Sequence, residues 1–99
     1  MANRNITWGK VAFQQFNAAI EYISEDSVQN AEKVSAEILE KIDKLPGHPE
    51  IYPPDKYKLN NDGNYRAFEC QRLRIAYYTT PHEIRILRIR HTYREPLTY

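Results

Sequence analysis

The spacing of the hydrophobic residues changes partway along this chain of 99 residues, and that change constrains the fold more than any other feature. From residue 11 to residue 45, apolar residues recur every three or four positions, which is the period of a helix with one buried face. They form two stripes: Phe13, Phe16, Ile20 and Ile23, then Ala31, Val34, Ile38, Ile42 and Leu45. The polar segment Ser24–Ser27 separates the stripes and supplies residue types that cap helix N-termini. We predict helices over about residues 11–24 and 28–45, packed as an antiparallel hairpin.

The chain after residue 64 has the composition of strands, with β-branched and aromatic residues in three runs. The runs are residues 65–70, 73–79 and 84–91, and residues 4–8 form a shorter run before the first helix. Gln71-Arg72 reads as a two-residue hairpin turn, which fixes the register of the first two runs. Phe68 then faces Ile75 on an apolar side that should receive the helices. Glu69 faces Arg74 on the other side, and the predicted order of elements is β-α-α-β-β-β.

The last run and the long connection before the sheet are less regular. Strict alternation along residues 84–91 places apolar residues and arginines together on both sides of the strand. One side holds Ile84, Ile86, Arg88 and Arg90, and the other holds Arg85, Leu87, Ile89 and His91. A strand with apolar residues on both sides is expected at the centre of a sheet. Residues 46–64 contain four of the six prolines, and we predict a loop of about 19 residues, a length typical of functional or loosely ordered loops.

Positive charge is concentrated in residues 65–99. That part of the chain contains seven arginines, no lysine and three acids, whereas residues 1–64 contain seven basic and ten acidic residues. The planar fork of arginine suits phosphate and carboxylate groups, so several arginines on one sheet would form an anion-binding surface. For any single arginine, the alternative is a solvated partner of an acid on a neighbouring strand. Three acids cannot pair with seven arginines.

Several classes of site are excluded by what the sequence lacks. The single cysteine, Cys70, rules out an internal disulfide and a cysteine metal cluster, and the three histidines, His48, His82 and His91, lack the spacing of metal ligands. No glycine-rich phosphate loop or serine nucleophile motif is present, so we expect neither a metal nor a cofactor. No apolar run approaches the roughly 20 residues of a membrane helix. Since the first residues also lack an apolar signal region, we expect a cytoplasmic protein with no membrane partner.

One group of residues suits chemistry on RNA. Arg74, His91, Arg94 and Tyr99 are the catalytic candidates for a metal-independent ribonuclease, in which a ribose 2′-hydroxyl attacks the adjacent phosphate. A histidine with an ordinary pKa of about 6.5 can move protons, and arginine can stabilise charge that develops on the phosphoryl group. The same residues fit a binding surface without catalysis, and a lone histidine at a strand end is more often structural. The residues expected to contact nucleic acid or another target are Arg66, Lys56, Lys58, Arg88, Arg90 and Tyr93.

The order of elements, with short motifs at fixed places, resembles the RelE/ParE superfamily of bacterial toxins, the toxin halves of type II toxin–antitoxin (plasmid stabilisation) modules. The motifs are Ile6-Thr-Trp8, Tyr22-Ile23, Leu45-Pro46, Arg66-x-Phe68, Leu73-Arg-Ile-x-Tyr77 and Ile89-Arg-His-Thr-Tyr-Arg-Glu-Pro96. The resemblance implies a single α+β domain over residues 1–99, in which a two-helix hairpin packs on one face of a small, antiparallel-dominated sheet of about four strands. It also implies a cognate acidic antitoxin whose C-terminal segment wraps the toxin and covers the arginine-rich surface.

The superfamily divides by target, so the resemblance implies two main alternatives. ParE-like members inhibit DNA gyrase, whereas RelE-like members are endoribonucleases that cut messenger RNA on the ribosome. Arg74 and Arg66 match basic residues of the RelE-like enzymes, and the residues near the end of the chain match less closely. Phe68 stands where those nucleases often have a lysine, and the ending His91-x-x-Arg94-Glu-Pro96 looks more like that of ParE-like toxins. We therefore favour gyrase inhibition, with the ribosome-dependent nuclease as the alternative and an inactive binding module of the same fold as a third possibility.

The nuclease alternative makes a specific demand on Arg74. We expect Arg74→Ala to lower cleavage by orders of magnitude and to leave the fold intact, because an exposed strand arginine contributes little to stability. That expectation requires the Arg74 side chain to be exposed on the sheet.

Overall fold

The helices and strands follow one another in the predicted order. The computed structural model describes residues 4–94 and 97–99. In chain order, the elements are β1 (Asn5–Trp8), α1 (Lys10–Asp26), α2 (Val28–Asp43), β2 (Tyr65–Cys70), β3 (Leu73–Thr79) and β4 (Glu83–His91). This order confirms the β-α-α-β-β-β arrangement and the α+β class, and the predicted β2 and β3 have the observed bounds.

A single residue, Ser27, joins the two helices. Its extended backbone ends α1, and its side-chain oxygen accepts a hydrogen bond from the Asn30 N–H at 3.0 Å, which caps α2. Most of the predicted stripe of α2 is buried, namely Ala31, Val34, Ile38 and Ile42. The buried residues of α1 are Ala12, Phe16 and Ala19. The placement of Phe13 in the core was wrong, because that residue lies about 100° around the helix from Ala12 and its side chain is 54% exposed.

The sheet has the strand order β1-β4-β3-β2, in which β1 runs parallel to β4 and the other neighbours are antiparallel. The β2–β3 hairpin has the predicted register, with Phe68 opposite Ile75. Its two turn residues, Gln71 and Arg72, adopt left-handed φ angles of 54° and 66°. Positive φ at both positions gives a tight turn whose twist matches that of the strands, and here it forms without the usual asparagine or glycine.

A β-bulge in β4 changes which side chains face the helices. Ile86 and Arg88 lie opposite consecutive residues of β3, so Leu87 between them is an extra residue. The prediction of strict alternation along this strand was therefore wrong. The residues of β4 on the helix side are Ile84, Ile86, Ile89 and His91, and those on the opposite side are Arg85, Arg88 and Arg90. The central position of β4, between β1 and β3, was predicted correctly.

The core lies between the helices and one face of the sheet, which we call the helix face. Ile38 and Ile42 of α2 belong to the same buried cluster as Ile75 and Tyr77 of β3, and all four are essentially inaccessible to solvent. The Tyr77 hydroxyl donates a hydrogen bond to the Pro49 carbonyl at 2.8 Å, and burial raises the pKa of Tyr77 to about 12. In the part of the chain that is described, no helix combines the length and the apolar character needed to cross a membrane.

The connection from α2 to β2 is ordered by hydrogen bonds to the edge of the sheet. The Asp55 N–H donates to the Tyr65 carbonyl at 2.7 Å, and the Ala67 N–H donates to the Pro53 carbonyl at 3.3 Å. The side-chain amide of Asn61 donates to the carbonyl oxygens of Asp55 and Tyr65 at 3.2 and 2.8 Å. This loop therefore covers the edge of β2, where an uncovered strand would present unpaired backbone groups, and it positions Asp55 beside the sheet.

Candidate functional site

The outer face of the sheet, which points away from the helices, carries most of the strand arginines. Its residues are Tyr65, Ala67 and Glu69 of β2, Arg74, Ala76 and Tyr78 of β3, and Arg85, Arg88 and Arg90 of β4. These positions follow from the two-residue period of a strand and, in β4, from the bulge at Leu87. The bulge thus brings Arg88 and Arg90 to the same face as Arg74.

Asp55 is a buried carboxylate at the edge of this face, and its side chain has no solvent exposure. Its Oδ1 accepts hydrogen bonds from Arg74 Nη2 at 2.8 Å and from the Tyr57 N–H at 3.0 Å, and its Oδ2 accepts one from the Tyr99 hydroxyl at 2.7 Å. Burial alone would raise the pKa of Asp55, but the hydrogen bonds from Arg74, Tyr99 and Tyr57 outweigh it and hold the pKa below its ordinary value. Asp55 is therefore ionised, and its three hydrogen bonds connect the loop to β3 and to Tyr99.

Arg74 lies between two carboxylates. Besides the bond to Asp55, its Nη1 donates to Glu69 Oε2 at 3.0 Å, and its guanidinium lies 4.8 Å from the centroid of the Tyr57 ring. Burial would lower the pKa of Arg74, but the bonds to Asp55 and Glu69 raise it, so the guanidinium stays charged. Only 18% of the side chain is exposed. The expectation of an exposed Arg74 was wrong, because a loop residue distant in sequence supplies a buried partner.

A cleft over the small side chain of Ala76 lies beside this ion pair; it opens to solvent and has a cavity volume of about 40 Å³. We call it the Ala76 cleft. Its lining residues are Tyr57, Glu69, Arg74, Ala76, Arg88, Arg90, His91, Thr92 and Arg94. Among the described residues, four arginines and one acid line it, so the site favours an anion such as a carboxylate or a phosphate.

Residues 97–99, here called the Tyr99 strap, lie along the loop that carries Asp55. The Tyr99 N–H donates to the Tyr57 carbonyl at 3.0 Å, and the Leu59 N–H donates to the Tyr99 carbonyl at 2.6 Å. Strap and loop therefore pair through their backbones as two short strands do. Burial, together with the bond to Asp55, raises the pKa of Tyr99, so its hydroxyl remains a proton donor to Asp55.

The strap also holds Arg88. The Arg88 guanidinium lies 4.0 Å from the centroid of the Tyr99 ring, and its Nη2 donates to the Leu97 carbonyl at 2.6 Å. Burial lowers the pKa of Arg88 from its very high ordinary value. Lys58 also lies against the strap, since its Nζ is 4.7 Å from the centroid of the Tyr65 ring and 5.5 Å from that of the Tyr99 ring.

His91 lies on the helix face, opposite Leu73, although it contributes to the rim of the Ala76 cleft. Its ring is 6.0 Å from that of Tyr22 in α1 and 4.9 Å from that of Tyr93. Burial and the nearby charge of Arg94 lower the pKa of His91, so the neutral imidazole is favoured. The structure thus brings Tyr99 into contact with the Arg74–Asp55 pair and directs the His91 ring to an aromatic cluster instead.

The other predicted target-binding residues divide between the two faces. Arg66 lies on the helix face, where its Nη1 donates to the Tyr52 carbonyl at 2.7 Å, so it does not join Arg74. Lys56 belongs to the loop itself, and its Nζ lies 5.3 Å from the centroid of the Tyr57 ring. Tyr93 is 67% exposed, next to His91. Glu95 and Pro96, which complete the last motif of the superfamily resemblance, lie outside the described residues.

Sequence reasoning missed Asp55 and Tyr57, which hold the centre of the site. Asp55 stands between Pro54 and Lys56 in a proline-rich loop, and no local pattern marks it as buried. Its partner Arg74 is 19 residues away in sequence, and the contact exists only because the loop folds back along β2. A surplus of arginine was visible in the sequence, but the carboxylate that neutralises the most central of these arginines was not.

Comparisons with known proteins agree with this architecture. The sequence model of a family described as the ParE toxin of the type II toxin–antitoxin system parDE matches residues 6–96. A structure of a chromosomal ParDE toxin–antitoxin system from P. aeruginosa is similar, with a TM-score of 0.72 and 17% identity, covering 92% of this chain and 98% of that one. A structure of the YoeB dimer from Staphylococcus aureus is similar with a TM-score of 0.52 and 23% identity, covering 93% of this chain and 100% of that one.

At such identities these structures establish a shared fold alone, and among curated proteins none matches the sequence. The family model carries the assignment, since it extends from β1 to beyond β4. The motifs noted in the sequence fall within the same span. This chain therefore belongs to the ParE toxin family of type II toxin–antitoxin systems.

Proposed function

We propose that this toxin inhibits DNA gyrase without being a nuclease, and that a cognate antitoxin with an acidic segment neutralises it. The family match supports a toxin of the ParE type. The observation that carries the rest is the state of Arg74, which is held by the buried carboxylate of Asp55 and by Glu69. A toxin that acts by binding needs no free arginine at this position, whereas the nuclease alternative does.

The geometry of the other catalytic candidates supports the same choice. Phosphoryl transfer requires a proton carrier and a cation that converge on one phosphate. The His91 ring packs against Tyr22 and Tyr93 on the helix face and reaches the cleft only at its rim. The Tyr99 hydroxyl is committed to Asp55. Arg94 is exposed at the rim of the cleft, where it can supply positive charge but cannot act as the proton carrier, because arginine does not lose its proton in proteins.

The charge of the outer face supports an acidic antitoxin. Arg88 and Arg90 line the Ala76 cleft, and the carboxylate of Glu69 there is already bonded to Arg74. An acidic segment laid across this face would place its carboxylates against those guanidinium groups. Because such attraction acts at long range, the association rate of the two proteins should fall as salt concentration rises.

A supercoiling assay tests the proposal directly. Purified toxin is added to DNA gyrase, ATP and relaxed plasmid, and the same preparation is added to ribosomes programmed with a defined messenger RNA. We expect supercoiling to be lost and the messenger to stay intact. Addition of the protein encoded beside the toxin gene should restore supercoiling, which controls for a contaminating inhibitor.

Two other outcomes would overturn the proposal. Cleavage of the messenger at codon-defined positions, with supercoiling unaffected, would identify the ribosomal nuclease. His91→Ala is the matched variant for that outcome, since it removes the only histidine near the cleft rim in the described residues. Activity in neither assay, together with normal bacterial growth on expression, would identify an inactive binding module of the same fold.

A further inference from the structure

We propose that the Tyr99 strap is an internal competitor that withholds Arg88 from an anion bound in the Ala76 cleft, and that release of the strap opens this site. The shared chemistry of the ligand is an oxyanion, either a carboxylate of a protein segment or a phosphate. Neither gyrase nor an antitoxin is needed for the inference, which follows from contacts within the chain.

The position of Arg88 is the first observation. Its side chain lines the Ala76 cleft, yet its guanidinium stacks on the Tyr99 ring and donates to the Leu97 carbonyl. Both contacts belong to the strap. An oxyanion in the cleft would be a better acceptor for Arg88 than a neutral carbonyl, because it adds attraction between opposite charges and can accept two parallel N–H bonds from the guanidinium.

The small number of contacts that hold the strap is the second observation. Leu97 is 52% exposed, so it adds little hydrophobic anchoring. The described contacts are the two backbone bonds of Tyr99 to the loop, its hydroxyl bond to Asp55, an edge-on contact with the Tyr65 ring at 6.4 Å, and the contacts with Arg88 and Lys58. Few bonds have to break for the strap to leave, in contrast to the continuous ladder of a strand within the sheet.

Asp55 does not prevent release. Without Tyr99, its carboxylate keeps the bonds from Arg74 Nη2 and from the Tyr57 N–H, so it remains ionised and paired. Arg74 likewise keeps both of its acids. Opening therefore leaves the Arg74 ion pairs in place and adds one freed cation, Arg88, to the cleft.

The experiment compares anion binding by the full chain and by Tyr99→Ala, with a hexaglutamate peptide and inorganic phosphate as probes in separate calorimetric titrations. We expect Tyr99→Ala to bind at least one probe about tenfold more tightly, since one charge-assisted hydrogen bond becomes available. Adding Arg88→Gln to Tyr99→Ala should return the affinity to that of the native chain. Arg85→Gln is the matched control, because Arg85 is an exposed arginine of the same strand and face that does not line the cleft, and the affinity of this variant should not change.

The outcomes separate the two ligand sources and decide the proposal. Tighter binding of hexaglutamate alone identifies carboxylates of a protein segment as the ligand, and tighter binding of phosphate alone identifies a small oxyanion; either supports the strap. Unchanged affinity for both probes in a folded Tyr99→Ala protein overturns it. If that variant does not fold, amide hydrogen exchange in the native chain decides, because a competing anion must expose the Leu59 N–H that is bonded to Tyr99. Exchange at Leu59 unaffected by saturating amounts of either probe would then refute the strap.

Discussion

The two faces of the sheet are covered by different means. On the helix face, apolar side chains such as Ile75 and Ile86 are fully buried under two amphipathic helices. On the outer face, the buried centre is an ion pair, Asp55 with Arg74, which lies under a loop and a three-residue strap. Apolar packing is non-directional and tolerates exchange of similar side chains, whereas a buried polar cluster is stable only when each group finds its partner. We therefore expect the outer face to respond more sharply to changes of single polar atoms.

The two faces also differ in what they contribute to the protein. The helix face provides the folding free energy through burial of apolar area. The outer face concentrates arginines around the Ala76 cleft, and Glu69, the acid that lines the cleft among the residues the structure describes, is bonded to Arg74.

The largest expected effect is that of Arg74→Ala. This change leaves the carboxylate of Asp55 buried without its ionic partner, and we expect a loss of about 3 kcal/mol in the free energy of unfolding, because breaking a buried pair strands a charge. Urea denaturation followed by circular dichroism measures it. A loss of this size would contradict the expectation from sequence, in which Arg74 is exposed and its removal leaves the fold intact.

Arg85→Ala is the matched control on the same face. Arg85 Nε lies 3.5 Å from Glu83 Oε1 and the side chain is 44% exposed, so its removal should change stability by less than about 0.5 kcal/mol. Equal, small effects for the two variants would mean that Asp55 does not depend on Arg74, and the contrast between the faces would fail.

The next effect is on the pH dependence of stability. The folded state holds the pKa of Asp55 below its ordinary value of 3.8, despite burial, through bonds from Arg74, Tyr99 and Tyr57. This contribution to stability is fully present above that ordinary pKa and is lost as pH falls through the lower, folded-state pKa. We expect thermal unfolding below about pH 4 to show a steeper loss of stability in the native chain than in Asp55→Asn. If the stability of both proteins falls equally steeply below about pH 4, Asp55 is not the group whose protonation destabilises the fold.

The smallest effect is expected for Tyr99→Phe. This substitution removes only the hydroxyl that donates to Asp55 Oδ2, and it keeps the ring that stacks on Arg88. A bond to a charged group lost from a carboxylate that retains two other donors should cost about 1 kcal/mol. Chemical denaturation measures the change, and Tyr93→Phe, which alters an exposed hydroxyl, is the control. A loss equal to that of Arg74→Ala would show that the strap, rather than the ion pair, holds the outer face together.

The elements that sequence predicted well depend on local chemistry. The β2–β3 register followed from a two-residue turn, and the N-cap Ser27 followed from a short polar segment between two apolar stripes. Phe13 was placed wrongly, because its neighbour Ala12 is the residue on the buried stripe. When a bulky apolar residue stands beside a small one, the bulky residue is readily predicted to be the buried one. Here the helix turns the small residue, Ala12, toward the core instead.

The bulge in β4 and the centre of the site were not predicted, and the reasons differ. Leu87 breaks the two-residue period of its strand, and an extra apolar residue looks the same in sequence whether it pairs or bulges. Asp55 was not singled out, because its burial results from a loop that folds along β2 and from a strap that meets it. The concentration of arginines and the position of Glu69 opposite Arg74 were predicted, but the pairing of Arg74 with Asp55 was not.

By itself, the sequence determined the order and type of the elements, the hairpin register, the surplus of arginine in the last third of the chain, and the resemblance to a toxin superfamily. Each of these depends on residues close together in the chain or on overall composition. The tertiary structure alone decided that Arg74 is paired with Asp55, that the His91 ring packs on the helix face, and that Tyr99 returns to the loop to hold Arg88. Those outcomes depend on contacts between distant segments, where the burial of a charge and the geometry of its donors are set by the whole fold.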